Sequence, residues 1–319
     1  MLVTPWSRDM GLRAPIVNAP MGGVAGGRLA AAVTAAGGLG MIGMGSAGSV
    51  SRLSGELAAL GEISGPFGIG VVDWVLAREP GLLDAAVAAR PALISISFTE
   101  DFAWVDRVHR AGIAAVTQVY DAEQARRARD AGVDVLVARG AEGGGHGTPA
   151  LGTLPLLDAV LDAVDGPVLA AGGISSGRTL AAVLAAGAAG AWLGTRLSMC
   201  TEARTPDRSR AALAGADGTD TVTTRVFDIG QDLPWPARFP SRVLRNDFTR
   251  RWDSRADDLA GAPEARDALA AAMAADDPAV APVDAGQGVG LLTGSRPARE
   301  VIENLCATAE HSLRAWSGD

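Results

Sequence analysis

The sequence predicts an α/β protein built as a (β/α)₈ TIM barrel, with an additional mostly helical segment inserted after the eighth strand. Three observations predict it. From residue 16 to residue 195, short apolar runs alternate with alanine-rich helical stretches. Most of the runs are continuous rather than alternating, as for strands buried on both faces. A helix-end phrase, Ala-Gly followed by a strand, recurs at Ala111-Gly112-Ile113, Ala131-Gly132-Val133 and Ala186-Gly187-Ala188, close to the spacing of one βα unit.

Eight strands are expected at 16–19, 40–43, 68–72, 93–97, 114–119, 135–138, 168–171 and 191–193. Helices are expected between them at 28–36, 49–60, 81–89, 102–111, 122–131, 154–164 and 178–186. Gly37, Gly112, Gly132 and Gly187 stand just past four of these helices, where a left-handed residue ends the helix. An open doubly wound sheet is the competing architecture. Eight consecutive units with no clear reversal favour closure, and the glycine-rich run from Gly22 to Gly27 lacks the order of a dinucleotide fingerprint.

The character changes after residue 195. Residues 201–213 are expected to be helical and 221–228 extended, with Val222, Val226 and Phe227 as the apolar positions. Pro234, Pro236 and Pro240 around Trp235 predict a rigid irregular segment. Residues 247–277 and 297–316 are expected to be helical. The expected organisation is a barrel over 1–200, an additional segment over 201–294 covering the barrel mouth, and a C-terminal helix over 295–319 that returns to the barrel.

Composition narrows the function. With 48% hydrophobic and 20% charged residues, the chain can bury a large core, so disorder is excluded. Its 41 glycines are about twice the usual share and cluster between apolar runs, where backbone can face a ligand. Net charge is −8 with no Lys/Arg-rich run, which argues against nucleic acid. No stretch resembles a membrane span or signal peptide. Cys200 and Cys306 form no metal or redox spacing, so a cytoplasmic protein without a metal is expected.

Three motifs carry chemistry. Ala171-Gly172-Gly173 ends the seventh strand and Gly194-Thr195 ends the eighth. Barrels bind phosphate between these two loops, where glycine lets backbone N–H groups approach the oxygens and a threonine hydroxyl adds a donor. A helix start after Ser175-Ser176-Gly177 would add a favourable dipole. Second, Gly143-Gly144-Gly145-His146-Gly147 follows the sixth strand and places an imidazole among bare peptides on the same face. Histidine titrates near neutrality and serves as base or hydrogen-bond donor. His109 and His311 stand in helical, charged surroundings and are read as surface residues. Third, Asn18-Ala19-Pro20-Met21-Gly22 ends the first strand and offers backbone and a soft side chain to a planar ring.

These motifs, with Ala36-Gly37-Gly38-Leu39-Gly40, the stretch 221–228, Trp235-Pro236, the stretch 242–246 and Ala285-Gly286-Gln287, resemble the nitronate monooxygenase family, formerly called 2-nitropropane dioxygenases. The resemblance runs along nearly the whole chain. It implies non-covalent FMN in the barrel. The matching contacts are Pro20, Met21 and Gly22 near the ring, Gly144 in the histidine loop, Gly70 and Gln118 as further contact positions, and Ala171, Gly172, Gly173, Gly194 and Thr195 around the phosphate. It makes His146 the active-site histidine. Gln118 stands where lysine is frequent, Asn18 where glutamine is common, and Asp284 where some members carry serine. Arg139, beside the loop, is read either as an anchor for an anionic substrate or as the partner of a nearby carboxylate.

The activity implied is oxidation of alkyl nitronates, and in some members nitroalkanes, by O₂ to a carbonyl compound and nitrite, with a small-molecule substrate and an open oligomeric state. A flavin-dependent enoyl-thioester (enoyl-ACP) reductase using NAD(P)H is the nearest alternative. A non-catalytic flavin-binding protein is another. Inosine-monophosphate-dehydrogenase-like chemistry needs a nucleophilic cysteine in a mobile loop, for which Cys200 and Cys306 are poorly placed.

Overall fold

The computed structural model describes residues 2–317. Met1, Gly318 and Asp319, the extreme ends of the expected first and last segments, lie outside the described residues. Six parallel strands come first: β1 (Ile16–Asn18), β2 (Gly40–Met44), β3 (Phe67–Val72), β4 (Leu93–Ser97), β5 (Ala114–Val119) and β6 (Val135–Arg139). A two-residue strand of a different sheet, β7 (Gly145–His146), intervenes before β8 (Val168–Ala171) and β9 (Gly190–Leu193). The parallel sheet runs β1-β9-β8-β6-β5-β4-β3-β2. Its two end strands meet through a parallel bridge between Val17 and Leu39, which closes the barrel. Every expected barrel strand is found, each boundary within one residue.

Asn18 explains how so short a ladder closes. It is fully buried. Its Oδ1 accepts from Met41 N at 2.7 Å, and its Nδ2 donates to Met41 O at 2.9 Å and Ala19 O at 3.0 Å. The side chain thus supplies the ladder bonds that β1 and β2 lack, and a buried amide finds its partners there.

Inside the barrel, Val17, Leu39, Met41, Leu93, Val116, Val137, Leu169 and Trp192 pack together. A short helix, Pro5–Asp9, capped by Thr4, was not legible in the sequence and brings Trp6 into this same cluster. Gly190 makes room for it: a Cβ there would lie 3.3 Å from the Trp6 ring. The seven expected outer helices all form: Gly27–Ala35, Val50–Leu60, Leu82–Ala88, Trp104–Arg110, Ala122–Asp130, Thr153–Ala163 and Gly177–Ala185. Gly37, Gly112, Gly132 and Gly187 adopt φ of +96°, +72°, +88° and +101°, the conformation that ends a helix at low cost only in glycine.

The later segment departs more from expectation. The first helix after the barrel is Thr195–Ser198, and the next begins only at Asp207, because Pro206 occupies its N-cap. The stretch 221–228 is not extended throughout. Strand β10 (Thr221–Thr224) stops where the Thr224 hydroxyl accepts the Val226 N–H at 3.2 Å, and the chain turns into a helix at Val226–Gly230. That turn lets Val226 and Phe227 bury against Phe248, Trp252 and Leu269. Strand β11 (Ser241–Leu244) pairs antiparallel with both β10 and β7. The 247–277 region is broken into the helix Asp247–Trp252, 3₁₀ turns to Gly261 and the helix Pro263–Ala274. Arg255 is non-helical, and Pro263 starts the second helix. The last helix, Ala298–Ser317, packs on Gly177–Ala185 and Gly27–Ala35 through Val301, Ile302, Leu305 and Ala309.

Candidate active site

One cavity of about 1100 Å³ opens at the carboxyl ends of the barrel strands. Pro20, Met21, Gly22, Gly70, Gln118, Gly144, His146, Ala171, Gly172, Gly173, Gly194 and Thr195 all line it. The structure therefore brings together every site residue expected from the sequence, from six different strand ends.

Local packing shows what each glycine does. Gly70 gives its space to Pro20: a Cβ there would lie 2.2 Å from the proline ring. Gly22 and Gly45 touch backbone to backbone, since a Cβ on Gly22 would meet the Gly45 Cα at 2.5 Å. The loop after β1 is thus clamped against the end of β2. Gly172 has φ of +116°, and a side chain would collide with Thr153 Oγ1 at 2.6 Å and Gly140 O at 3.0 Å. Gly194 differs: the nearest atoms to an added Cβ, in Ala19 and Met21, are both 3.8 Å away, and both residues line the cavity. The space beside Gly194 thus opens into the cavity, as a cradle for a phosphoryl group requires. The Thr195 hydroxyl accepts the Gly286 N–H at 2.9 Å and keeps its own hydrogen for a ligand. Of Ser175, Ser176 and Gly177, only Ser175 lines the cavity. Gly177 is pressed against Thr308 of the last helix, 2.3 Å from a would-be Cβ.

Arg139 lines the cavity, and its direct hydrogen bonds go to backbone. Its guanidinium is buried and donates to the carbonyls of Gly143, Gly144 and Gly145 at 2.8, 3.0 and 2.8 Å. It is the internal frame of the histidine loop. Burial pulls its pKa below the ordinary value, against the pull of Tyr120 in the other direction. From outside, Arg242 Nε donates to Ala141 O at 2.9 Å, and Gly144 is packed so tightly on Gly286 that a Cβ would meet its nitrogen at 2.6 Å.

His146 lies at the end of this frame, in β7, paired with Ser241 of β11. Its Nε2 is 2.9 Å from Asp228 Oδ1, and its ring stacks on Trp235 with centroids 3.6 Å apart and planes 7° from parallel. Phe98 meets the Trp235 ring edge-on at 4.9 Å. Phe98 holds φ of +72°, a strain on the order of 1–3 kcal/mol for such a residue, and it too lines the cavity. Asp284 lines the cavity and accepts from Ser241 Oγ at 2.9 Å. Desolvation by the surrounding cavity wall raises its carboxyl pKa, with His146 and Ser241 opposing. Sequence reasoning missed Asp228 and Phe98. Asp228 ends the stretch 221–228, read as extended and as part of the family resemblance, a reading that gives Asp228 no role. His109 and His311 are outside the site, and His109 pairs with Asp134 at 2.8 Å.

A closed (β/α)₈ barrel with a glycine cradle at its last two strands and a held imidazole over the same cavity has the architecture of a barrel enzyme for a phosphorylated cofactor. The comparisons make that class specific: the protein is an enzyme, a flavin oxidoreductase. The family model for nitronate monooxygenase matches residues 79–308, and the chain belongs to that family. The chain is similar to a nitroalkane oxidase from Streptomyces ansochromogenes, at 31% identity and a TM-score of 0.82, over 97% of this chain and 99% of that one. It is also similar to FabK from Thermotoga maritima, at 26% identity and a TM-score of 0.87, over 100% and 99%. A third similarity, at 36% identity over 79% of this chain and 69% of its relative, is to a (3aS,4S,5R,7aS)-5-hydroxy-7a-methyl-1-oxo-octahydro-1H-indene-4-carboxyl-CoA dehydrogenase of Mycobacterium tuberculosis. No helix among the described residues is long and apolar enough to cross a membrane, and no group of metal-ligating side chains occurs among them.

Proposed function

We propose that the protein oxidises alkyl nitronates, and nitroalkanes after removal of their α-proton, to a carbonyl compound and nitrite, with FMN as cofactor and O₂ as oxidant. The observation that carries this reading is that His146 and the Gly172–Gly173/Gly194–Thr195 cradle line one cavity. FMN fits the cradle because the space beside Gly194 is free while the backbone around Gly172 is held tight. When bound, FMN supplies the acceptor for the substrate's electrons. The chain's residues do the rest. The amides of 172–173 and 194–195 and the Thr195 hydroxyl hold the phosphate. Pro20, Met21, Gly22, Gly70, Gln118 and Gly144 border the ring. His146 receives the α-proton of a neutral nitroalkane, or donates to the oxygens of a nitronate. Residues 201–294 act as the cover of the mouth and supply Asp228, Trp235 and Asp284. The test is an absorption spectrum of the purified protein followed by oxygen consumption with propionate 3-nitronate. A protein that stays colourless with added FMN sinks the reading.

A second reading, a thioester oxidoreductase, is favoured by the rim. Arg28, Arg52 and Arg204 line the same cavity, against Glu56 and Asp276, in a chain of net charge −8. Such a rim suits the phosphates of a carrier-bound acyl group, and one relative's name contains a carboxyl-CoA substrate. Anaerobic mixing separates the two: bleaching of the flavin by NADH or by an acyl-CoA supports this one, and bleaching by a nitronate supports the first.

A further inference from the structure

We infer that Asp228 is the positioning residue for His146: it holds the proton on Nε2 and leaves Nδ1 as the nitrogen that meets the substrate. The inference rests on the reading that His146 acts on substrate. Its geometric part stands independently. The Asp228 side chain is only 7% exposed and does not line the cavity, whereas His146 does. Among the described residues its carboxylate has one hydrogen-bond partner, His146 Nε2 at 2.9 Å. A buried carboxylate with a single partner is costly unless that partner donates to it. The donor must therefore be Nε2–H, and the tautomer follows from the bond. Trp235, stacked at 3.6 Å, fixes the ring plane, and the Asp228 bond fixes the rotation within that plane. Nδ1 has no hydrogen-bond partner among the described residues; in this tautomer it is the acceptor nitrogen, and it donates only after taking up a proton. The arrangement has the logic of a base oriented by a carboxylate behind it.

The placement also explains the turn at Val226. Had residues 221–228 stayed extended, Asp228 would lie on a strand beyond β10. The helix Val226–Gly230 carries it back to the ring of β7. The additional segment, rather than the barrel, thus sets the tautomer of the barrel's histidine.

The chain has 3 histidines, so ring-¹⁵N labelling resolves them individually in the FMN-loaded full chain. The wild type is expected to show a downfield, slowly exchanging proton on His146 Nε2. Succinate, an inert isostere of propionate 3-nitronate, should move the Nδ1 resonance and leave Nε2 in place. Asp228→Leu and Asp228→Asn should lose the slow proton while keeping the flavin spectrum. The same variants should lower kcat/KM for neutral nitroethane by about 10- to 100-fold, part of a general base's usual contribution. They should affect ethyl nitronate, which needs no deprotonation, several-fold less. Asp228→Glu should recover part of the loss. Persistence of the slow proton in Asp228→Leu, or movement of Nε2 instead of Nδ1 with succinate, overturns the inference. If neither nitro substrate turns over in the wild type, the nitronate reading falls, and the nitrogen resonances still decide the role of Asp228.

Discussion

The imidazole of His146 lies flat against the indole of Trp235, centroids 3.6 Å apart, although the two residues are 89 positions apart in the chain. Trp235 is held in turn by edge contacts to Phe98 and Trp74 and by its N–H donating to Ser46 Oγ at 3.2 Å. The stack fixes the ring on which the proposed proton transfer depends. Trp235→Phe keeps an aromatic face but loses the hydrogen bond and part of the contact area. It is expected to cost about 1 kcal/mol of stability and to reduce nitroethane turnover several-fold. Urea unfolding and steady-state kinetics check this. Unchanged kcat with unchanged stability would remove Trp235 from the account.

Arg139 carries a second prediction. Replacing it with Met removes the guanidinium that donates to the Gly143, Gly144 and Gly145 carbonyls, the first of them buried. A cost of about 3 kcal/mol is expected, at the level of breaking a buried charged network. Because the frame positions Gly144 and His146, flavin affinity should fall at least about 10-fold. Fluorescence titration with FMN reads the second effect independently of the first. A variant that unfolds at the wild-type urea concentration would show that the carbonyls find other donors.

The two glycines of the cradle should respond differently. Gly172→Ala places a methyl at 2.6 Å from Thr153 Oγ1 with φ of +116°, so the fold itself should suffer. Gly194→Ala meets no protein atom closer than 3.8 Å. It is expected to keep its melting temperature within a few degrees and to lose FMN, because the methyl enters the space assigned to the phosphate. Normal FMN binding by Gly194→Ala would move the phosphate elsewhere.

Most of the barrel was legible because its rule is local. Apolar runs of strand length, each followed by an alanine-rich helix and a glycine, repeat as a unit, and the four helix-ending glycines adopt positive φ. The cradle and histidine loop were legible for the same reason: they are short glycine motifs at strand ends. What was not legible depends on distant partners. Asp228 matters only because a turn at Thr224 aims it at a residue 82 positions earlier. Arg139 reads as a charge to be neutralised, yet its partners are backbone carbonyls created by the loop it supports. Asn18 looked like an ordinary departure from a glutamine and proves to be the closure of the barrel.

Asp284 supplies a pH dependence with a definite sign. Desolvation among the atoms of the cavity wall raises its carboxyl pKa above the ordinary 3.8, and Asp228 adds to the rise, while His146, the Ser241 hydroxyl and Arg139 oppose it. Below the ordinary value both folded and unfolded chains are protonated there, and the group contributes nothing. As pH rises past about 3.8 the unfolded chain ionises first, so stability falls until the folded carboxyl ionises as well. Asp284→Asn keeps an acceptor for Ser241 and abolishes this loss. The melting temperature of the variant minus that of the wild type should therefore increase as pH is raised from 4 toward 7. A difference that is constant, or that shrinks with pH, would mean that Asp284 ionises as easily folded as unfolded.

Cysteine reactivity offers the sharpest separation from nucleophilic chemistry on the same fold. Cys200 is fully buried, and its thiol is pushed up to about 12 by burial first and Glu202 second, against Arg196 and Arg210. Only about one thiol in ten thousand would then be ionised at pH 8. Cys306 is raised as well, to about 11. Iodoacetamide at pH 8 should leave Cys200 unmodified in the native protein over hours, as read by mass spectrometry of peptides, and should modify it readily in guanidinium. Activity should survive the native treatment. Rapid alkylation of Cys200 with parallel loss of turnover would require a thiolate in the mechanism, and His146 would then be the partner of a nucleophile instead of the base itself.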